Sequence, residues 1–69
     1  MKWLRKLRVD AHKTQEEVAT LAGLAQSSYA NIEFGRRKPS VPTAKKIAAV
    51  LGFDWQRFYE EPEQKENPA

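Results

Sequence analysis

The chain contains no cysteine and a single histidine, His12. A disulfide is impossible, and a structural zinc site of the usual Cys/His kind is nearly excluded. Small folds often lean on such staples, so here helix packing must suffice. The lack of cysteine suits a reducing compartment. No apolar run approaches the ~18 residues that span a bilayer. The first residues, MKWLRKLRVDA, carry early positive charge with no apolar stretch behind it, so a signal peptide is not expected. Strand-like alternation, internal repeats and nucleophile–base, metal or phosphate-loop sets are also missing. An enzyme is therefore the remote reading, and no cofactor or metal is expected.

What is present is one small domain's worth of chain, 69 residues. At this size folding buries only about 60% of the unfolded surface, so the core is thin. The net charge of +3 hides an asymmetry. Residues 1–59 hold eleven Lys/Arg and five Asp/Glu, while residues 60–69 hold four Glu and one Lys. A basic body with a short acidic tail suits a polyanionic partner, although a mixed solvated surface would look similar. The boundary expected is a folded unit over 1–59 and a polar, acidic, disordered tail over 60–69.

Along the chain, Leu4, Leu7 and Ala11 recur at helical spacing, with Trp3 flanking them and Lys2, Arg5, Lys6 and Arg8 on the remaining surface. This first helix should end near residues 10–12. Thr14 to Glu17 reads T-x-x-E, a capping box that opens a second helix. Val18, Ala19, Leu21 and Ala22 form its apolar side, and Gly23 ends it. Leu24 plugs the turn. A third helix should run from after Ala25 to residue 33 or 34, with Tyr29 and Ile32 inward. Gln26, Ser27, Ser28 and Asn31 then face out: short, uncharged groups carrying donors and acceptors, unusual for a merely solvated face. Gly35 closes it and a basic loop, Arg36-Arg37-Lys38, follows. Ser40 can cap a fourth helix whose stripe is Val41, Ala44, Ile47, Ala48 and Leu51, ended by Gly52. Asp54 can cap a short fifth helix from Trp55 to about Tyr59. Two short helices joined by a glycine turn over Thr14–Lys38 have the sequence form of a helix-turn-helix.

The pattern L-R…TQEEVA…G-L-x-Q-S-x-Y-x-x-I-E-x-G-R-R-K-P-S…A-x-x-L-G resembles the Cro/phage-repressor type (XRE-type) helix-turn-helix family over residues 3–59. The resemblance implies an all-α, compact five-helix, lambda-repressor-like domain. It implies a transcriptional regulator, most simply a repressor, that binds double-stranded operator DNA as a homodimer in the cytoplasm, at the nucleoid. Helix three would enter the major groove. By position, Gln26, Ser27 and Asn31, with Ser28 as a further candidate, match base-reading residues. Gln15 matches a phosphate contact, and Arg36, Arg37 and Lys38 fall in the backbone-gripping loop. Arg8 and Glu33 match an ion pair tying helix one to helix three. The chain departs from the family at Ala25, where Ser or Thr usually caps the reading helix, at His12, often glycine, at Lys13, often apolar, and at Tyr29, usually a smaller aliphatic residue.

Each of these positions has a plainer alternative. Gln26 and Asn31 could be ordinary exposed amides; in a groove each could grip adenine N6 and N7, worth about 1–3 kcal/mol of discrimination. The three cations could be a solvated turn; on DNA they would add affinity and salt dependence rather than sequence choice. Trp55, Phe58 and Tyr59 either cover the core or form a self-complementary dimer patch. A second function class stays open: an antitoxin or anti-repressor-like module whose acidic tail binds a protein partner. A restriction–modification controller would share every feature of the first class.

Overall fold

The computed structural model describes residues 1–60. It holds four α-helices and a terminal 3-10 helix: α1 (Lys2–Asp10), α2 (Gln15–Leu21), α3 (Gln26–Glu33), α4 (Val41–Leu51) and Trp55–Tyr59. No strand is present among the described residues, and no described helix is long and apolar enough to cross a membrane. The acidic tail expected over 60–69 falls almost entirely outside the described residues.

The local signals act where expected. The Thr14 hydroxyl accepts from the Glu17 amide, and the Glu17 carboxylate accepts from the Thr14 amide, completing the capping box. The Ser40 hydroxyl accepts from the Thr43 amide at the start of α4. Asp54 accepts from the Gln56 amide and opens the final helix. That last element is a 3-10 helix of five residues rather than a fifth α-helix. Five residues are too few for more than one α-turn, and the tighter i→i+3 pattern suits a short terminal piece. His12 sits at φ 58, the left-handed region that most side chains avoid. Its amide still donates to the Val9 carbonyl, 2.9 Å away, so α1 ends in a turn that glycine would make without strain.

The core gathers one small group from every helix: Leu4 of α1, Val18, Ala19 and Ala22 around α2, Tyr29 and Ile32 of α3, Ala44 and Ile47 of α4, and Phe58. α3 packs against α2 and α1, and α4 packs against α2 and the 3-10 helix. Alanines at the α2 and α4 contacts let these short helices approach closely, while Tyr29 and Phe58 supply much of the buried volume. Trp3, Phe53 and Phe58 form an aromatic cluster with centroid separations of 5.2–5.5 Å, which joins the two ends of the described chain.

Three expectations about burial need correction. Leu21 and Val41 are 61% and 43% exposed, so they lie at the edges of their stripes. Each sits at an end of its helix. Phe58 is completely buried and is unavailable to any dimer patch; Trp55 and Tyr59 are half-buried.

Candidate nucleic-acid interface

α3 begins with Ala25 in extended conformation and no side-chain cap. Its first N–H groups therefore lack a side-chain acceptor and face out of the helix end. Tyr29, Ile32 and Glu33 turn inward. Ser27 and Asn31, four apart, lie on the opposite side, with Gln26 and Ser28 on its two flanks. Gln26 and Ser27 are exposed, while Ser28 and Asn31 are half-buried. Ser28 lines a shallow polar cleft of about 350 Å³ that it shares with Arg37, Lys38, Ser40 and Thr43. The expected polar row is thus a surface feature, with one member turned toward the basic loop.

That loop is held against the helix end. The Asn31 carbonyl accepts from the amides of Arg36 and Arg37 at 2.9 and 3.3 Å, and Gly35, at φ 80, donates to the Ile32 carbonyl. Arg36, Arg37 and Lys38 are all exposed. Pro39 is buried, and its carbonyl accepts from the Tyr59 hydroxyl at 2.7 Å. The Lys38 ammonium stands 5.8 Å from the centroid of the Tyr59 ring. Tyr59 therefore braces the basic loop from the far end of the chain. From the sequence Tyr59 reads as core cover or dimer patch and not as a strut for the loop, because a contact across 20 positions leaves no local signal.

Behind the polar row lies a buried ionic network. Arg8 Nε donates to Glu33 Oε1 at 2.8 Å and Arg8 Nη2 to Oε2 at 3.2 Å, a bidentate pair. Its side chains are only 13% and 3% exposed. Arg8 Nη1 also donates to the Lys13 carbonyl at 2.9 Å, so one guanidinium ties α1 to the start of α2 and the end of α3. The Met1 α-amino group donates to the Glu33 carbonyl at 2.6 Å. Burial by itself would push the Glu33 carboxyl up. The hydrogen bonds from Arg8 and Gln15 and the Arg8 charge outweigh it and hold the group below its ordinary value. The hydrogen bond to Glu33 raises Arg8 above its ordinary value, against the opposing effect of burial.

Two residues bear on this network in unexpected ways. Gln15, assigned by resemblance to a phosphate, directs its Nε2 onto Glu33 Oε2 at 3.2 Å. One amide N–H is thereby used inside the protein, and the carbonyl oxygen and the second N–H stay available. The Tyr29 hydroxyl is buried and makes no hydrogen bond of good geometry. Burial above all, with the adjacent Glu33 carboxylate adding to it, pushes its phenol far above the ordinary range, so it stays neutral. It sits inside the bundle rather than on the exposed side of α3. His12 is exposed. Among the described residues no group of three or more His, Cys, Asp or Glu is placed to hold a metal ion.

The sequence matches the helix-turn-helix family pattern over residues 4–58. It is 52% identical over 60 residues to the uncharacterized HTH-type transcriptional regulator YqaF of Bacillus subtilis, covering 87% of this chain and 79% of that one. It is 31% identical over 67 residues to the HTH-type transcriptional regulator PuuR of Escherichia coli, covering 97% of this chain but 36% of that one. A third relative, the uncharacterized HTH-type transcriptional regulator y4dJ of Sinorhizobium fredii, is 40% identical over 47 residues, which is 68% of this chain and 61% of its own. No solved structure matches. The capping box, the glycine turn between α2 and α3, the Arg8–Glu33 pair and these relatives together place the chain in the Cro/phage-repressor (XRE-type) helix-turn-helix family.

Proposed function

We propose that the protein is a sequence-specific DNA-binding regulator, most simply a repressor, that lays α3 in the major groove of a duplex operator. Gln26, Ser27 and Asn31 read base edges, with Ser28 reaching toward the backbone side of the same groove. Arg36, Arg37 and Lys38 neutralise phosphates, and Gln15 adds a phosphate contact with its remaining N–H. A homodimer presents two reading helices about 34 Å apart, one turn of DNA. The observation that carries this reading is the juxtaposition on one side of α3: uncharged hydrogen-bonding side chains adjoin three exposed cations, and the amides of two of them, Arg36 and Arg37, are fixed to the helix end by the Asn31 carbonyl. Side-chain amides pair with base edges, and cations on a fixed loop pair with phosphates. The relatives' names, all HTH-type transcriptional regulators, point the same way.

Selection of bound sites from a random duplex pool tests this. A palindromic consensus with half-sites about 10 base pairs apart is expected. Failure to enrich any sequence would overturn it. Replacing Asn31 or Gln26 with Ala should change which base pairs are enriched; an unchanged consensus with weaker binding would remove them from the reading role.

A further inference from the structure

Phe34 is the most exposed large hydrophobic residue described, at 62%. It continues α3 in helical conformation. Positions 27, 31 and 34 are separated by four and three residues, so Ser27, Asn31 and Phe34 form one stripe opposite the buried Tyr29 and Ile32. The phenyl ring therefore lies in line with the polar row, at its C-terminal end. The Arg36 guanidinium stacks over the ring, 5.4 Å from its centroid, within the range of a cation–π contact. Arg37 and Lys38 follow directly. An exposed aromatic with one cation stacked on it and a basic loop following is ill suited to a second basic surface, and suits a polyanion that also offers apolar edges.

Resting on the DNA-binding reading above, we propose that Phe34 and Arg36 form a paired contact to the DNA backbone. The phenyl ring packs on the apolar edge of a deoxyribose, and the stacked guanidinium meets the adjoining phosphate. Because the sugar edge is the same at every nucleotide, this contact adds affinity and register without sequence choice. It assigns a ligand to a side chain whose exposure the small core does not explain. It also gives Arg36 a fixed direction that Arg37, without a ring partner, lacks.

The test measures binding of full-length wild type, Phe34→Ala, Phe34→Leu, Arg36→Ala and the double variant to a selected duplex and to a scrambled one, over a range of salt. Phe34→Ala should weaken both duplexes by a similar factor, about three- to tenfold, from lost apolar contact. Phe34→Leu should recover part of the loss. Arg36→Ala should flatten the salt slope by about 0.9, and the double variant should lose less than the product of the single factors. An unchanged melting temperature for Phe34→Ala separates the effect from folding. Unaltered affinity in Phe34→Ala would overturn the proposal. So would a loss confined to the selected duplex and reproduced by replacing one thymine with deoxyuridine, which identifies a base methyl as the contact. Wild type that binds no duplex would overturn the DNA reading itself, whereas wild-type binding with an inert Phe34 overturns the paired contact alone.

Discussion

Replacing Glu33 with Gln removes one charge from the centre of the molecule while keeping its shape. Glu33 is 4% exposed. It accepts from Arg8 twice and from Gln15 once. Gln at this position offers one oxygen and presents an amide N–H where a donor already points. Breaking a buried pair by removing one partner costs about 3–5 kcal/mol. Arg8 retains the Lys13 carbonyl, so the expected loss lies at or just below the lower end, about 2–3 kcal/mol. A domain of this size has roughly 3–9 kcal/mol in total, and each kcal/mol moves its melting point by about 4–8 °C. Thermal unfolding followed by circular dichroism at pH 7 should therefore show a drop of roughly 10–20 °C. The pH dependence supplies an independent check. Glu33 is held below its ordinary value near 4.5, so the folded state binds its proton less readily than the unfolded state. Its stabilisation is complete above that ordinary value and is lost as pH falls through the lower folded one. The gap between wild type and variant should narrow below about pH 4.5. A variant within about 0.5 kcal/mol of wild type at pH 7, or a gap that persists undiminished to strongly acidic pH, would refute the reasoning.

Other perturbations follow from single contacts. His12→Gly relieves a left-handed backbone at φ 58. Strain there is about 1–2 kcal/mol and glycine's extra unfolded-state entropy offsets part of it, so urea unfolding should show a gain of up to about 1 kcal/mol; a loss would mean that the His12 side chain contributes more than the backbone costs. Ala25→Ser supplies the missing N-cap of α3 and should stabilise by about 0.5–2 kcal/mol; no gain in urea unfolding would mean that the added hydroxyl does not reach an orphan N–H. Arg37→Ala should weaken binding to all duplexes alike and reduce the salt slope by about 0.9; a sequence-selective loss measured by fluorescence anisotropy would contradict a phosphate role.

The parts of the fold visible in the sequence were those governed by neighbours a few residues apart. Thr14 and Glu17 satisfy each other within one turn, and Gly23, Gly35 and Gly52 all take the positive φ that ends a helix. The Arg8–Glu33 pair spans 25 positions and was legible only through resemblance to a family. The Gln15–Glu33 bond, the Tyr59–Pro39 strut and the stacking of Arg36 on Phe34 left no sequence signal, since each depends on how elements dock or on one rotamer. Periodicity also assigns a face without saying how far the neighbouring element reaches along it. Leu21 and Val41 lie on apolar stripes at the ends of their helices yet are exposed. The uncharged row on α3 was readable because its two flanks, the buried Tyr29 and Ile32 and the basic loop, were both marked in the chain.

The central claim is that the outer side of α3 and the loop after it meet duplex DNA. Titrating the isotopically labelled protein with a duplex pool at modest ionic strength, while following backbone amide signals, tests it most directly. The account predicts that the amides of Gln26–Asn31 and of residues 36–38 shift or broaden, while those of the buried α4 residues Ala44, Ile47 and Ala48 stay in place. Signals of residues 26–31 that remain unmoved at every duplex concentration would contradict it.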